Sequence, residues 1–240
     1  MAWRVALLAL SLAALPARAQ QPSAPADSAA GDSGAWRPRF SPRDPGRARL
    51  FLAPTARTMP RGQGYIGDYF VFFPVVGYGI TDHILLSGGA SVLPWLSFSQ
   101  QLIYLAPKIG LVETPGFSFG VGGLYMRLLM TELVDAWGGV GYGVATFGGE
   151  DAAVTLGVGW PFASGGGTRE LWAMAGGELR VDRSIKLLAE GWQFPGARVV
   201  PVVFGVRLMS EQTAVDLGLV RVLGSDTKGI GPWVDFTWKW

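Results

Sequence analysis

The sequence predicts an all-β protein, and more narrowly a transmembrane antiparallel up-and-down β-barrel of about 12 strands. Three observations carry that expectation. Of 240 residues, 49% are hydrophobic and only 16% are charged, against roughly 25% charged in an ordinary soluble domain. From Arg49 onward the chain falls into segments of about ten residues, rich in Val, Leu, Gly and aromatics and separated by turn residues. Within those segments apolar side chains alternate with small or polar ones, the pattern of a wall with hydrocarbon on one side. Helices are disfavoured by 35 glycines, each costing close to 1 kcal/mol in a helix interior. The longest apolar stretch, Val71 to Ile80, is broken by Pro74, Gly77 and Gly79, so no membrane-crossing helix is expected.

The elements follow in chain order. Residues 1–19 read as a secretory signal peptide: Arg4, an apolar run from Val5 to Leu15, and the small-residue site Ala17-Arg18-Ala19. No Cys follows to carry a lipid anchor. Residues 20–48, rich in Pro, Ala, Ser, Asp and Arg, are expected to be a flexible periplasmic leader. For its Arg-rich part, Arg37 to Arg49, the expectation is a solvated tether. Contact with anionic lipid headgroups and folding back into the lumen are the alternatives. The net charge of +2 includes Arg4 and Arg18, so the processed chain is neutral and a nucleic-acid partner is not expected.

The barrel is placed at 49–240, with strands at about 49–58, 64–80, 84–93, 100–113, 117–127, 136–148, 152–162, 171–181, 185–194, 198–209, 213–222 and 231–240. Tight connections fall at Thr81-Asp82-His83, Thr114-Pro115-Gly116, Gly149-Glu150-Asp151, Asp182-Arg183-Ser184 and Ser210-Glu211-Gln212, and mostly longer ones lie between them. Short turns at one end and longer loops at the other is how outer-membrane barrels are threaded, and an even strand number puts both termini at the periplasmic end. In 152–162, Ala152, Val154, Leu156, Val158, Trp160 and Phe162 share the outward face, as do Val234, Phe236, Trp238 and Trp240 in the last strand. Aromatics near strand ends, among them Tyr65, Tyr69, Trp95, Trp137, Trp172, Trp192 and Trp233, are expected in interfacial girdles. A secreted soluble β-sandwich also alternates, but its solvent face would carry more charge.

Leu50-Phe-Leu-Ala-Pro-Thr-Ala-Arg57, then Gly64-Tyr-Ile-Gly-Asp-Tyr-Phe-Val-Phe-Phe-Pro74 and Tyr78-Gly-Ile-Thr-Asp82, resemble a group of uncharacterised bacterial outer-membrane β-barrel proteins. That group opens with an apolar F-x-A-P-T strand, followed by a G-x-G-Y-x-G-x-Y-x-x-F-F strand and a Y-G-x-T-D turn. The resemblance is best over 50–90 and only textural beyond. The end, Phe236-Thr-Trp-Lys-Trp240, resembles the aromatic last strand by which such barrels are handed to the insertion machinery. The resemblance implies fold, export to the bacterial outer membrane and lipid partners, and it supplies no catalytic motif.

Charges inside strands are the informative ones, since Arg or Lys facing lipid at mid-bilayer costs about 2–4 kcal/mol. Parity puts Glu178, Arg180, Lys186 and Glu190 on one face, where they can only sensibly share the lumen as an ion-paired cluster. That cluster would either fill the barrel or line a constriction. Lys108, Arg207, Asp216, Asp235 and Lys239 are further candidate lumen residues. Asp68, Arg127 and Arg221 are placed near outer strand ends, within reach of headgroups. His83 beside Asp82 reads as turn chemistry, and no nucleophile–base pair can be assembled around it, so no enzyme, catalytic residue, cofactor or metal is expected. Calcium binding by the 128–135 loop is the one metal alternative. Glycine runs such as Gly122-Gly123 and Gly138-Gly139 are expected to relieve crowding on the inner wall. Twelve strands lie between a side-chain-filled barrel and an open channel. The expected function is therefore a narrow pore or binding channel for small solutes, with a closed structural barrel of the envelope as the alternative.

Overall fold

The computed structural model describes residues 43–97, 100–128, 137–166, 170–194, 196–224 and 229–240. Alternating segments pair with their chain neighbours into one closed antiparallel barrel of 12 strands. These are β1 (Gly64–Tyr69), β2 (Phe73–Thr81), β3 (Ile84–Ala90), β4 (Leu102–Glu113), β5 (Phe117–Leu128), β6 (Trp137–Gly148), β7 (Ala152–Ala163), β8 (Trp172–Asp182), β9 (Ile185–Gln193), β10 (Val200–Met209), β11 (Thr213–Leu223) and β12 (Ile230–Lys239). The order runs β1-β2-β3 around the ring to β12, which closes on β1, so each strand edge has a neighbour.

The expected strand number holds, but through two compensating corrections at the front of the chain. Residues 49–58 form no wall strand, and the single strand expected over 64–80 is two, β1 and β2, joined by the turn Phe70–Phe72. Phe70 and Val71 take left-handed φ values of 53° and 66°. Non-glycine residues carry that conformation at a cost of about 1–2 kcal/mol each. A tight turn between bulky residues with no Gly, Asn or Asp has no sequence signature, which is why it reads as continuous strand.

From β4 to β12 the expected boundaries lie within two residues of those observed. The tight connections β2–β3, β4–β5, β6–β7, β8–β9 and β10–β11 share one end of the barrel with the start of β1 and the end of β12. Along β7, Ala152, Val154, Leu156, Val158 and Trp160 are exposed while Ala153, Thr155, Gly157 and Gly159 are buried. Ile66, Leu105, Leu179, Phe204, Leu217 and Val234 continue the apolar outer surface. The interior is the polar side: Lys108, Glu178, Arg180, Lys186, Glu190, Arg207, Asp216 and Asp235 are all buried.

The girdle expectation needs correction. Tyr65, Trp192 and Trp233 pack against buried lumen clusters, and Tyr69 joins them. Trp172 lines the lumen as well. Their parity is inward, opposite to outward Ile66 and Val234, so their rings serve the core.

Closure is shortest at the β1–β12 seam, where three residue pairs align: Tyr65 with Lys239, Ile66 with Trp238, and Gly67 with Thr237. Beyond them side chains replace the ladder. Asp68 Oδ1 accepts the Phe236 N–H at 2.7 Å, and Asp235 Oδ1 accepts the Phe70 N–H at 2.9 Å. Asp68, near the outer end of β1, is thus bonded to the seam's backbone.

Candidate functional site

The segment Asp44–Pro60 occupies the barrel interior. Ordinary turn chemistry starts it: Asp44 Oδ1 accepts the Gly46 N–H at 2.7 Å, and Arg47 N donates to Asp44 O at 3.2 Å. The chain then rises as a short hairpin. Arg49 bridges Pro54, Leu50 N donates to Ala53 O at 2.8 Å, and Thr55 N donates to Ala48 O at 3.1 Å. Residues 50–53 form the tip of this finger. It leaves the barrel at the tight-turn end, where Thr58 Oγ1 donates to Asp82 O at 2.5 Å and Arg61 N donates to Asp82 Oδ1 at 2.9 Å.

Wall strands alternate between buried and exposed, and the finger does not. Leu50, Phe51, Ala53 and Ala56 are each 0% exposed, enclosed on both faces as a core element is. Their apolar sides pack on Val144, Met174, Leu188 and Val203. Phe51 meets Trp233 edge-on at 6.1 Å. The solvated-tether expectation therefore fails for 44–48, and the fold-back alternative describes them. Residues 1–42, with the proposed signal peptide, lie outside the described residues.

Most polar contacts of the finger go to β8–β12, with Lys108 and Glu113 of β4 and Thr146 of β6 besides. Arg207 grips Asp216 bidentately, Nε to Oδ1 at 2.7 Å and Nη2 to Oδ2 at 2.8 Å. Its remaining N–H groups reach the finger: Asp44 Oδ2 and Gly46 O, each at 3.0 Å, and Leu50 O at 2.7 Å. Lys186 Nζ bridges Asp44 Oδ2 and Glu178 Oε2, both at 2.7 Å. The other oxygen of Glu178 accepts from Arg57 Nη1, whose Nη2 donates to Gly149 O at 2.6 Å. Arg49 bonds Asp235 at 2.7 Å and Thr237 Oγ1 at 2.9 Å, and its guanidinium lies 4.7 Å above the Tyr69 ring. Burial opposes charge on Asp44, but Arg207 and Lys186 outweigh it and hold the carboxyl well below the usual carboxylate range.

The expected four-residue cluster is divided by this arrangement. Glu178 and Lys186 do pair. Arg180 instead faces Asp151 at 3.8 Å. Glu190 makes no ion pair with them: its carboxylate accepts the N–H groups of Phe51, Leu52 and Ala53 at 3.0–3.1 Å and the Trp192 indole N–H at 3.1 Å. Three successive amides at a turn form an anion-holding nest, and Glu190 fills it. Lys239 lies on the inward face of β12 and is half-buried. Arg127 and Arg221 are exposed at the long-connection ends of β5 and β11. His83 is exposed in the β2–β3 turn, its N–H bonded to Thr81 Oγ1 at 3.2 Å. The calcium reading of 128–135 falls on residues 129–135, outside the described residues.

Sequence reasoning missed Asp44, Arg49 and Arg57 as lumen residues, and missed the tyrosines. One signal was present: a leader with Asp44, Arg47, Arg49 and Arg57 close together, ahead of a wall carrying unusual strand charges of both signs.

Opposite the ion pairs, the finger leaves a cavity of about 190 Å³, bounded by Tyr65, Tyr69, Tyr104 and Tyr142, by Val75, Leu85, Leu124 and Val140, and by Trp172, Trp192 and Phe194. Two tyrosines rest against glycines of the wall. A Cβ on Gly122 would fall 2.5 Å from the Tyr142 ring, and one on Gly77 would fall 2.1 Å from that of Tyr65. The inner-wall role expected of Gly122 is thus a seat for an aromatic ring.

No family model and no curated protein matches the chain. Among solved structures, it is similar to a loop-deletion mutant of OmpT, an outer membrane protein of Vibrio cholerae. That likeness has a TM-score of 0.41 and 13% identity, and covers 70% of this chain and 63% of the other. The chain thus spans less than two thirds of the length of that protein.

Proposed function

We propose that this chain is an integral outer-membrane barrel whose lumen is closed at rest by its own N-terminal finger, making it a gated binding channel for small solutes rather than a standing pore. The apolar outer belt supports the location: Leu156, Val158, Trp160, Phe204 and Phe236 face outward from a ring whose polar groups are turned in. The observation that carries closure is the finger itself, buried within the wall except at Leu52 and its half-buried neighbours and bonded to it by side chains of β4, β6, β8, β9, β10, β11 and β12. Trp240 supports a late closing step. Its N–H donates to Gly64 O at 3.0 Å and its carbonyl accepts the Gly64 N–H at 3.3 Å, so an insertion machinery reading the aromatic C-terminus would have to act before β12 meets β1.

Planar bilayers test this reading. The full-length chain should be electrically silent, and deletion of residues 43–57 should give discrete conductance steps. Should the deletion fail to fold, the pair Asp44→Asn with Glu178→Gln provides the second variant and should give flickering openings. Steady conductance of the full-length chain would overturn the plug. Silence of folded finger-less protein would overturn the channel in favour of a closed envelope barrel.

A further inference from the structure

Lys108 stands apart from the other buried charges. Its side chain rises from the inner face of β4, and the residue is 3% exposed. Its ammonium donates to two finger carbonyls, Ala48 O at 2.8 Å and Thr55 O at 3.0 Å. Among the described residues no carboxylate comes within 4.0 Å of it, whereas Arg49, Arg57, Lys186 and Arg207 each have one. Carbonyl dipoles satisfy two of its three N–H bonds but leave the protonated ammonium without a paired carboxylate, an expensive state in a low-dielectric interior. Lys108 also lines the aromatic cavity. The rest of that lining is nearly all hydrocarbon: aliphatic side chains, ring faces and glycines. Arg49 lines it too, but is already committed to Asp235. An apolar chamber with one uncompensated cation in its wall selects for a molecule with one anionic end and an apolar body.

We infer that the cavity between the finger and strands β1–β9 binds a small apolar monocarboxylate, whose carboxylate pairs with Lys108 and whose hydrocarbon body lies among Tyr65, Tyr104, Tyr142, Val140 and Trp192. The space limits the size. An apolar cavity of about 150 Å³ holds one benzene ring, so 190 Å³ suits a ligand on the order of ten heavy atoms. A ring or short chain fits and a phospholipid does not. This inference deepens the binding-channel reading and rests on it for the ligand's route, but not for the site itself.

The test uses the full-length chain in phosphatidylcholine nanodiscs, with octanoate as probe and 1-octanol and octylamine as controls of equal length. Trp172 and Trp192 line the cavity, so their fluorescence reports occupancy. Octanoate should give a saturable change with Kd at least tenfold below that of octanol, and octylamine should bind weakest. Lys108→Met should remove the preference for octanoate over octanol while leaving octanol binding in place. Ala106→Phe, which fills the chamber from the neighbouring inward position, should abolish both without altering heat-modifiable migration of the barrel. Equal affinity for octanoate and octanol in the unaltered chain would overturn the role of Lys108. Unchanged octanoate binding in Ala106→Phe would overturn the cavity, leaving partition into lipid as the explanation. Neither result depends on conductance, so a conducting full-length chain that still discriminates octanoate would sink the plug and spare the site.

Discussion

On the β8–β12 side of the lumen, wall and finger meet through carboxylates, guanidinium groups and an ammonium; on the β1–β6 side, Lys108 of β4 apart, tyrosine rings and aliphatic groups face open space. The two sides enclose the same volume with opposite chemistry. Desolvating charges is costly, and attraction offsets that cost only when each partner is in place with its hydrogen bonds made. On the ionic side the wall supplies one half of each arrangement and the finger the other: Asp44 for Lys186 and Arg207, Arg57 for Glu178, and backbone amides for Glu190. That side is committed to the finger. The aromatic side is already satisfied by its own packing, with Tyr142 seated on Gly122 and the Tyr104 hydroxyl donating to Pro74 O at 2.6 Å. It gains little from being filled, and so space remains there.

The sharpest way to break the comparison is Arg207→Met. The change takes the bidentate partner from Asp216 and one of two cations from Asp44, and it frees the Gly46 and Leu50 carbonyls. Removing one member of a buried ionic network costs about 3–5 kcal/mol. Because the wall remains a closed ring, the loss should appear as release of the finger, with trypsin gaining access at Arg47 and Arg49 while the barrel still migrates as a folded species. Wild-type protection in this variant would show that apolar packing alone holds the finger.

A smaller effect is expected on the other side. Gly122→Val would put a side chain where the Tyr142 ring rests, an overpacking expected to cost about 1–3 kcal/mol. Its urea midpoint should fall while trypsin protection of the finger is kept, since Tyr142 meets the finger's cluster only through apolar packing and takes part in none of the ion pairs that hold the finger. Finger release in Gly122→Val would mean that the two sides are coupled.

The same contrast explains what could be read from sequence. Strands β4–β12 were legible because hydrocarbon outside and a packed lumen inside impose strict two-residue alternation, as in Ala152–Phe162. The lumen position of Glu178, Lys186, Arg207, Asp216 and Asp235 followed from that parity. Their partners did not, because pairing depends on register and on a segment that belongs to no strand. Leu50–Arg57 misled for a physical reason: a chain buried on both faces needs apolar residues just as a lipid-facing strand does, and Leu50-Phe51-Leu52-Ala53 meets either demand. The break in alternation there, with Phe51 and Leu50 equally buried, is the feature that separates plug from wall. The Phe70–Phe72 turn had no such mark, being held by the Asp235 carboxylate and the Trp233 ring, 5.3 Å from that of Phe70.

Acidity offers the finest probe of the ionic side, because Asp44 belongs to the finger and bonds both Lys186 and Arg207. Burial raises its proton affinity, but the two cations lower it more, so the docked carboxyl titrates below the undocked one. A depressed carboxyl contributes docking stability that is fully present above its undocked pKa, about 3.9, and is lost only as pH falls from there toward the docked value. The contribution of Asp44 should therefore be flat from pH 8 down to roughly 5 and should decline below about 4. Trypsin is inactive in that range, so pepsin cleavage near Leu50 and Phe51 is the suitable readout, compared between the unaltered chain and Asp44→Asn. The variant should dock more weakly at neutral pH, and the difference between the two should shrink as acid is added. A difference that instead grows with acid would reverse the sign of the linkage and place a protonated Asp44 in the docked finger.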